Sequence, residues 1–348
     1  MVDFAGWEMP LVYRSITDEH VQTRTSGSLF DVSHMGRVTF SGQGARDFLD
    51  RVLTRRLDDQ KVGQSRYSLV CNENGGVMDD VIISRDSKHW FMVCNASNRL
   101  KLLAHFDAVR AASRFDVVIS DVTTSTAMVA LQGPKVIEKL AAILPIELKE
   151  LGRYRFEHAN LLVTKLTVYR SGYTGEDGVE VVMPAGAASM AIKMIGGSLE
   201  KEGGSIRPAG LGARDTLRTE AGMPLYGHEL SEEIDPLSAG LGFAVDLKKN
   251  FIGSERLREL AGGGLSRTLV GLVLEGKRIA RQGTQVKDTN GADIGVVTSG
   301  TLSPTLGTSI AMALIKPEHA TAGGSLQVDL KGTFVAAQVV KLPFYKKA

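Results

Sequence analysis

"GGVMDDVIIS", residues Gly75 to Ser84, sets two aspartates, Asp79 and Asp80, between a glycine pair and the β-branched run Val81-Ile82-Ile83. That run reads as a buried strand. Carboxylates are rarely buried unless something pairs with them, so a strand that opens on two needs a physical reason. Neighbouring strand residues point to opposite faces. One aspartate therefore faces a shared interior cleft, and the other faces solvent or a cap. The plainer alternative makes both of them turn residues closing a hairpin, a common use of Asp.

Outward from this stretch the pattern continues. "RVTFSG" from Arg37, "RYSLVC" before the turn and "HWFMVCNAS" after it are short apolar segments bounded by Asn, Gly or Ser. They read as antiparallel strands, with "NENGG" (Asn72–Gly76) as the hairpin turn. "SGQGARDFLDRVLTRRL" places Ala45, Phe48, Leu49 and Val52 on one helical face, with Ser41 as its start signal. "NRLKLLAHFDAVRAA" repeats the helical pattern after Asn98. Strand, helix, strand, strand, helix, strand is a ferredoxin-like order.

A second unit follows. "TAMVALQGPKVIEKLAAIL" predicts a strand, a Gly-Pro turn and a helix, and "NLLVTKLTVYRSGYTGEDGVEVVMP" a strand pair around a glycine-rich loop. "AGAASMAIKMIGGSLEKEGG" and "GLGARDTLRTEAGMPLYG" read as helical. "AGGGLSR" (Ala261–Arg267) is the clearest compositional break. Beyond it only short β-type segments occur, which predicts a small barrel or sandwich of roughly 80 residues and no long helix.

The 348 residues allow two or three domains at roughly 100–200 residues each. With 41 basic and 39 acidic residues, the net charge of +2 gives no electrostatic footprint for nucleic acid. No apolar run approaches the roughly 18 residues of a membrane span. Met1–Trp7 lacks the pattern of a signal or transit peptide. Cys71 and Cys94 have no metal-like spacing and read as buried free thiols in a reducing cytoplasm.

Three further stretches carry chemistry. "RSGYTGEDGVE" (Arg170–Glu180) has three glycines that allow a close backbone approach to a ligand. Its three acids argue against a phosphate cradle, and a charged hairpin turn is the plain alternative. In "GARDTLRTEAGMPLYGHE" (Gly212–Glu229), Arg214 and Arg218 share a helical face. Arg214 with Asp215 and Arg218 with Glu220 read either as surface charge or as a grip on a carboxylated ligand. "DVSHMGR" (Asp31–Arg37) places His34 beside Met35, with no second ligand at zinc-site spacing. No G-x-S-x-G elbow or strand-borne G-x-G-x-x-G supports a hydrolase or dinucleotide reading.

In order along the chain, "VDFAGWEMPLVY", "SLFDVSHMGR", "NENGGVMDDVI", "RSGYTGEDGVE", "LGARDTLRTEAGMPLYGHE" and "VTSGTLSPTLGTSIAMA" resemble the aminomethyltransferase (T protein) family of the glycine cleavage system. The likeness spans Val2 to Phe344. It implies an α+β fold: a three-domain cloverleaf with antiparallel sheets, a C-terminal β-barrel or jelly-roll-like domain, and tetrahydrofolate in a central hole. The implied divisions are 1–35 with 125–260, 36–124, and 265–348. The implied chemistry takes the aminomethyl group from the lipoyl arm of an H protein, releases ammonia and forms 5,10-methylenetetrahydrofolate, in a cytoplasmic monomer without a metal.

Site residues transfer by the same resemblance. Asp80 faces the pterin near N5, and Asp79 points away. Met35 and Tyr67 are folate contacts. Phe91, Val93 and Asn95, at period-two spacing, face one side and resemble the pocket wall, with Asn95 reading the pterin edge. Tyr173 and Glu180 match the aromatic and the acid of the glycine-rich loop, and Glu180 suits the donor-rich amino-pyrimidine edge of a pterin. Arg214 matches the ligand-holding arginine. Phe243 stands where relatives often carry tryptophan, and Arg281 resembles the arginine from the third domain. Relatives begin earlier than Val2, which fits a start at an internal methionine or a misassigned one. The tail after Phe344 is short.

Three alternatives accompany this reading. A folate-binding iron–sulfur assembly factor of the superfamily carries a cysteine in a K-G-C-type motif, where "SGYTGEDG" has Tyr173 instead. A folate-dependent demethylase of a small methylated compound keeps the pocket without the H-protein surface. A non-catalytic folate-binding module has no need of Asp80.

Overall fold

The computed structural model describes residues 1–113, 115–161, 164–193 and 206–347. Its strands form a two-stranded ribbon, a five-stranded sheet, a six-stranded sheet and a closed six-stranded barrel. The contacts divide the chain into two compact units. One comprises 1–50, 56–68 and 81–214; the other comprises 51–55, 69–80 and 215–348.

The five-stranded sheet runs in the order Gln64–Cys71, Val77–Arg85, Trp90–Cys94, Gly36–Ser41, Val118–Asp121. Without the first of these, the order is that of a ferredoxin-like split βαβ. Gln64–Cys71 is an added edge strand, so the hairpin is one strand longer than a four-stranded pattern needs. The turn that makes it is Asn72–Gly76, as the sequence predicts. The Gly75 amide donates to the Asn72 carbonyl, the Asn72 amide to the Gly76 carbonyl, and the Gly76 amide to Asn72 Oδ1. Gly75 has φ +80°. A Cβ on Gly76 would lie 1.8 Å from the Glu232 carbonyl oxygen, so only glycine fits.

Alternation along Val77–Arg85 is clean. Asp79, Val81 and Ile83 share one side and are 0%, 2% and 0% exposed. Asp80, Ile82 and Ser84 share the other, where Asp80 and Ile82 are half-buried. This corrects the expectation of solvent for Asp79: it is closed to solvent and lies within the strand, on the side of Val81 and Ile83. Val38, Phe40, Ile83 and Met92 line that side with Phe48 and Phe106 from the two helices. The three phenylalanine rings sit 5.5–5.9 Å apart, in edge and offset arrangements that add to their burial.

Ser41 is not a helix start. It ends its strand, and Gly42 turns the chain at φ +102° so that the helix begins at Ala45. A Cβ on Gly42 would be 2.7 Å from the Asp116 carbonyl, so close packing rather than a hydroxyl cap decides the turn. The second helix, Arg99–Ser113, starts where expected after Asn98.

The six-stranded sheet is ordered Phe156–Leu161, Thr164–Tyr169, Gly178–Pro184, Thr126–Gln132, Ser28–Asp31, Arg207–Pro208. Thr164–Tyr169 and Gly178–Pro184 pair around the glycine-rich loop as expected, and Phe156–Leu161 adds a strand before them. Part of the helix expected over Ala185–Gly204 lies outside the described residues; Ala185–Ala187 form a single 3-10 turn. The helix expected from Gly210 to Gly227 spans only Leu211–Glu220. The break at Ala261 is not a free linker, because the helix Ser254–Gly263 runs into it before Gly264 turns at φ +86°.

The C-terminal segments close as a barrel, not a sandwich. The order is Thr268–Leu274, Ser309–Ile315, Asp293–Leu302, Gln285–Lys287, Ser325–Asp329, Phe334–Val340, and the last strand pairs with the first. Leu272, Val286, Ala311, Ala313, Ile315 and Val328 fill it. Closure removes exposed strand edges.

Candidate functional site

The glycine-rich loop separates its three acids by role. Asp177 takes a two-pronged bond from Arg170, 2.9 Å from Nε and 2.7 Å from Nη2. Arg170 Nη1 also donates to the Leu148 and Leu151 carbonyls. Glu176 is buried against Arg24 at 3.0 Å. Both acids hold the loop in shape. Glu180 differs. It sits in Gly178–Pro184 opposite Tyr169 and Ala130, accepts from Ser171 Oγ at 2.5 Å, and forms no ion pair among the described residues.

Arg214 stands in the first turn of Leu211–Glu220, its guanidinium 4.8 Å from the Tyr173 ring, a cation–π contact. Burial lowers its pKa, while the charges of Glu180 and Tyr173 oppose that fall. Arg214 Nη1 is buried and has no hydrogen-bond partner among the described residues. One unit thus brings together Tyr173, Glu180 and Arg214: an aromatic face, an acceptor and a cation without a direct salt bridge between them.

Other expected residues of this unit are placed as follows. Phe91 is buried and stacks on Tyr169 with centroids 5.8 Å apart. Phe156 packs on the same Tyr169 at 5.1 Å. Val93 shares the Phe91 side of the strand. Asn95 does not belong to that alternation, because the strand ends at Cys94 and Asn95 leads the 3-10 turn Ala96–Asn98. Met35, Tyr67, Val93 and Asn95 are half-buried.

Arg37 is a residue that sequence reasoning passed over. Its side chain is wholly buried in Gly36–Ser41. Nε donates to Thr126 Oγ1, Nη1 to the Met35 carbonyl, and Nη2 to the carbonyls of Ser33, Thr123 and Thr126. Burial draws its pKa down to about 10, which keeps it charged at neutral pH. It ties the loop bearing His34 and Met35 to the segment Thr123–Thr126. A polar residue between Gly36 and Val38 in an apolar strand was the available signal.

In the other unit, Asp80 is half-buried, Phe243 is 67% exposed and Arg281 is exposed. Arg218 and Glu220 are not surface charge. Arg218 is 1% exposed and pairs with Asp215 at 2.8 Å and Glu229 at 2.9 Å, and Nη2 donates to Ser299 Oγ. Glu220 accepts from Ser303 Oγ and from both the amide and hydroxyl of Thr305. Asp215 is a helical i,i+3 neighbour, but helical spacing cannot show Ser299, Ser303 or Thr305, which lie far along the chain. Among the described residues no group of three or more His, Cys, Asp and Glu gathers as for a metal, and no helix is long and apolar enough to cross a membrane.

Residues 1–249 match the family model described as the GCVT N-terminal domain, and residues 267–346 that of the glycine cleavage T-protein C-terminal barrel domain. The chain belongs to the GCVT family. Its GCVT relatives include an aminomethyltransferase of Rubrobacter xylanophilus, 48% identical over all of this chain and 91% of that protein. Another, from Moorella thermoacetica, is 42% identical over all of this chain and 94% of its own. The crystal structure of the glycine cleavage system aminomethyltransferase T from Bartonella henselae superposes with TM-score 0.91 at 33% identity. It covers 99% of this chain and 94% of that one. The GCVT fold therefore extends over the whole chain, barrel included.

Proposed function

We propose that this chain is a tetrahydrofolate-dependent aminomethyltransferase of the glycine cleavage system. It takes the aminomethyl group carried on the lipoyl arm of an H protein. Folate N5 forms a bond to the carbon, the amine leaves as ammonia and the sulfur as the dihydrolipoyl thiol. N10 then closes the one-carbon bridge of 5,10-methylenetetrahydrofolate. The protons lost from N5 and N10 match those gained by the two leaving groups.

Family membership over nearly the full chain supports the reaction class. The observation that carries the ligand assignment is Glu180, the one acid of its loop without an arginine. A carboxylate held by a single hydroxyl retains acceptor capacity for the paired N–H donors of an amino-pyrimidine. Arg214 and Tyr173 supply charge and a ring face, while Met35, Tyr67, Phe91, Val93, Asn95, Phe243 and Arg281 complete the proposed folate contacts. Asp80 takes the catalytic role: its carboxylate orients N5–H and accepts its proton.

The three-domain division belongs to the same proposal. The five-stranded sheet falls within 36–124, the barrel within 265–348, and the six-stranded sheet within 1–35 and 125–260. The proposed setting is the cytoplasm, which suits the buried free thiols Cys71 and Cys94.

The deciding experiment incubates the protein with aminomethylated H protein and tetrahydrofolate and follows ammonia. Folate-dependent release with stoichiometric methylenetetrahydrofolate is expected. Turnover of small methylated compounds, with none of the H-protein adduct, would replace this reading with a demethylase.

A further inference from the structure

Arg214 Nη1 and His34 Nδ1 are both buried and have no hydrogen-bond partner among the described residues. The first is always a donor. The second is an acceptor whenever the ring is neutral with its proton on Nε2. His34 is 2% exposed and packed edge-on against Phe4, with centroids 5.2 Å apart. Its backbone is fixed on both sides, since Arg37 holds the Ser33 and Met35 carbonyls.

The ring is kept neutral. Burial, and next the positive charge of Arg214, hold its pKa at about 4; Arg37 acts in the same sense and Asp31 opposes them. Both orphan atoms are closed to bulk solvent. A donor and an acceptor, each buried without a bond, with the Arg214 charge felt at the His34 ring, have one economical solution.

We propose that His34 is a positioning residue for Arg214: its neutral Nδ1 accepts from the inner Nη1 and fixes the guanidinium over Tyr173, with its remaining N–H groups turned to bound folate. The role in ligand binding rests on the folate reading above; the His34–Arg214 contact itself does not.

The test compares His34→Asn, whose amide oxygen can replace Nδ1, with His34→Leu, which fills similar space without an acceptor. His34→Leu is expected to weaken tetrahydrofolate binding about tenfold or more and raise its KM, with kcat within a few-fold. His34→Asn is expected to stay within about threefold of the parent. In an Arg214→Ala background, His34→Leu should have no further effect on affinity. Equal affinity for the parent and His34→Leu would overturn the proposal, as would equal losses in His34→Leu and His34→Asn. Additive losses in the double variant would do the same. The parent, His34→Leu, Arg214→Ala and the double variant are also unfolded in denaturant, where coupling between the two sites must appear. If the parent itself binds no tetrahydrofolate, the pocket reading fails, while the unfolding cycle still decides the contact.

Discussion

At residue scale, the two neighbouring aspartates have different environments and so different expected phenotypes. Asp80→Asn keeps size but removes basicity, and should lower kcat by about 10²–10⁴ with little change in folate affinity. Asp79 lies on the apolar side of the same strand at 0% exposure. Asp79→Ala should cost about 1–3 kcal/mol of stability by leaving buried donors unmatched. Its folded fraction should retain kcat within a few-fold. Steady-state kinetics and denaturant unfolding on both variants check this; loss of kcat in the Asp79 variant alone would reverse the assignment. Glu180→Ala should weaken folate binding by roughly 1–3 kcal/mol, measured by titration calorimetry, because pterin donors lose their acceptor. Unchanged affinity would remove Glu180 from the site.

His34 also gives a pH dependence whose sign is fixed. Its folded pKa is about 4, below the ordinary 6.5. Between those values the unfolded chain binds a proton that the folded chain does not, so stability falls as pH drops from 6.5 towards 4. The loss attributable to this ring approaches roughly 3 kcal/mol at the acid end. The parent minus His34→Asn difference in unfolding free energy, taken across that window, should show it. A difference that does not vary with pH would contradict the neutral buried ring.

At the scale of elements, two local devices hold the site-bearing segments. The Asn72–Gly76 turn has no room for a side chain at Gly76, where the Glu232 carbonyl blocks it. Gly76→Ala should cost more than about 2 kcal/mol, whereas Gly75→Ala, with a positive φ and only the yielding Leu257 side chain 3.1 Å from its Cβ, should cost about 1–2. Comparable unfolding midpoints for the two would refute the steric argument. Arg37 is the second device. Lysine preserves charge but not the planar fork that reaches four carbonyls and a hydroxyl. Arg37→Lys should therefore lose at least about 2 kcal/mol through unmatched buried carbonyls. Full stability in chemical denaturation would show that the fork is dispensable.

At the scale of the whole molecule, the chain carries a net charge of +2. If the lipoyl carrier is acidic, as the family resemblance implies, encounter is steered by opposite charge. The apparent KM for H protein should then rise with ionic strength while that for folate changes less. A flat response would remove steering without touching the chemistry.

Much of this architecture is a property of local sequence. Alternation in Val77–Arg85, the glycines of the hairpin turn and the six β segments after Thr268 each state their structure, because period and turn chemistry act between near neighbours. Glu180 and Arg214 could be nominated from motifs in the same way. What the sequence could not decide is which charges are already engaged. Arg24 with Glu176, Arg218 with Glu229, and Arg37 with the Thr123–Thr126 carbonyls join positions far apart in the chain. Whether Asp79 or Asp80 lies against the core depends on which face of the sheet the helices cover, not on either residue's identity. Burial and hydrogen-bond partners are consequences of tertiary contact; only there does Glu180 separate from the two acids beside it.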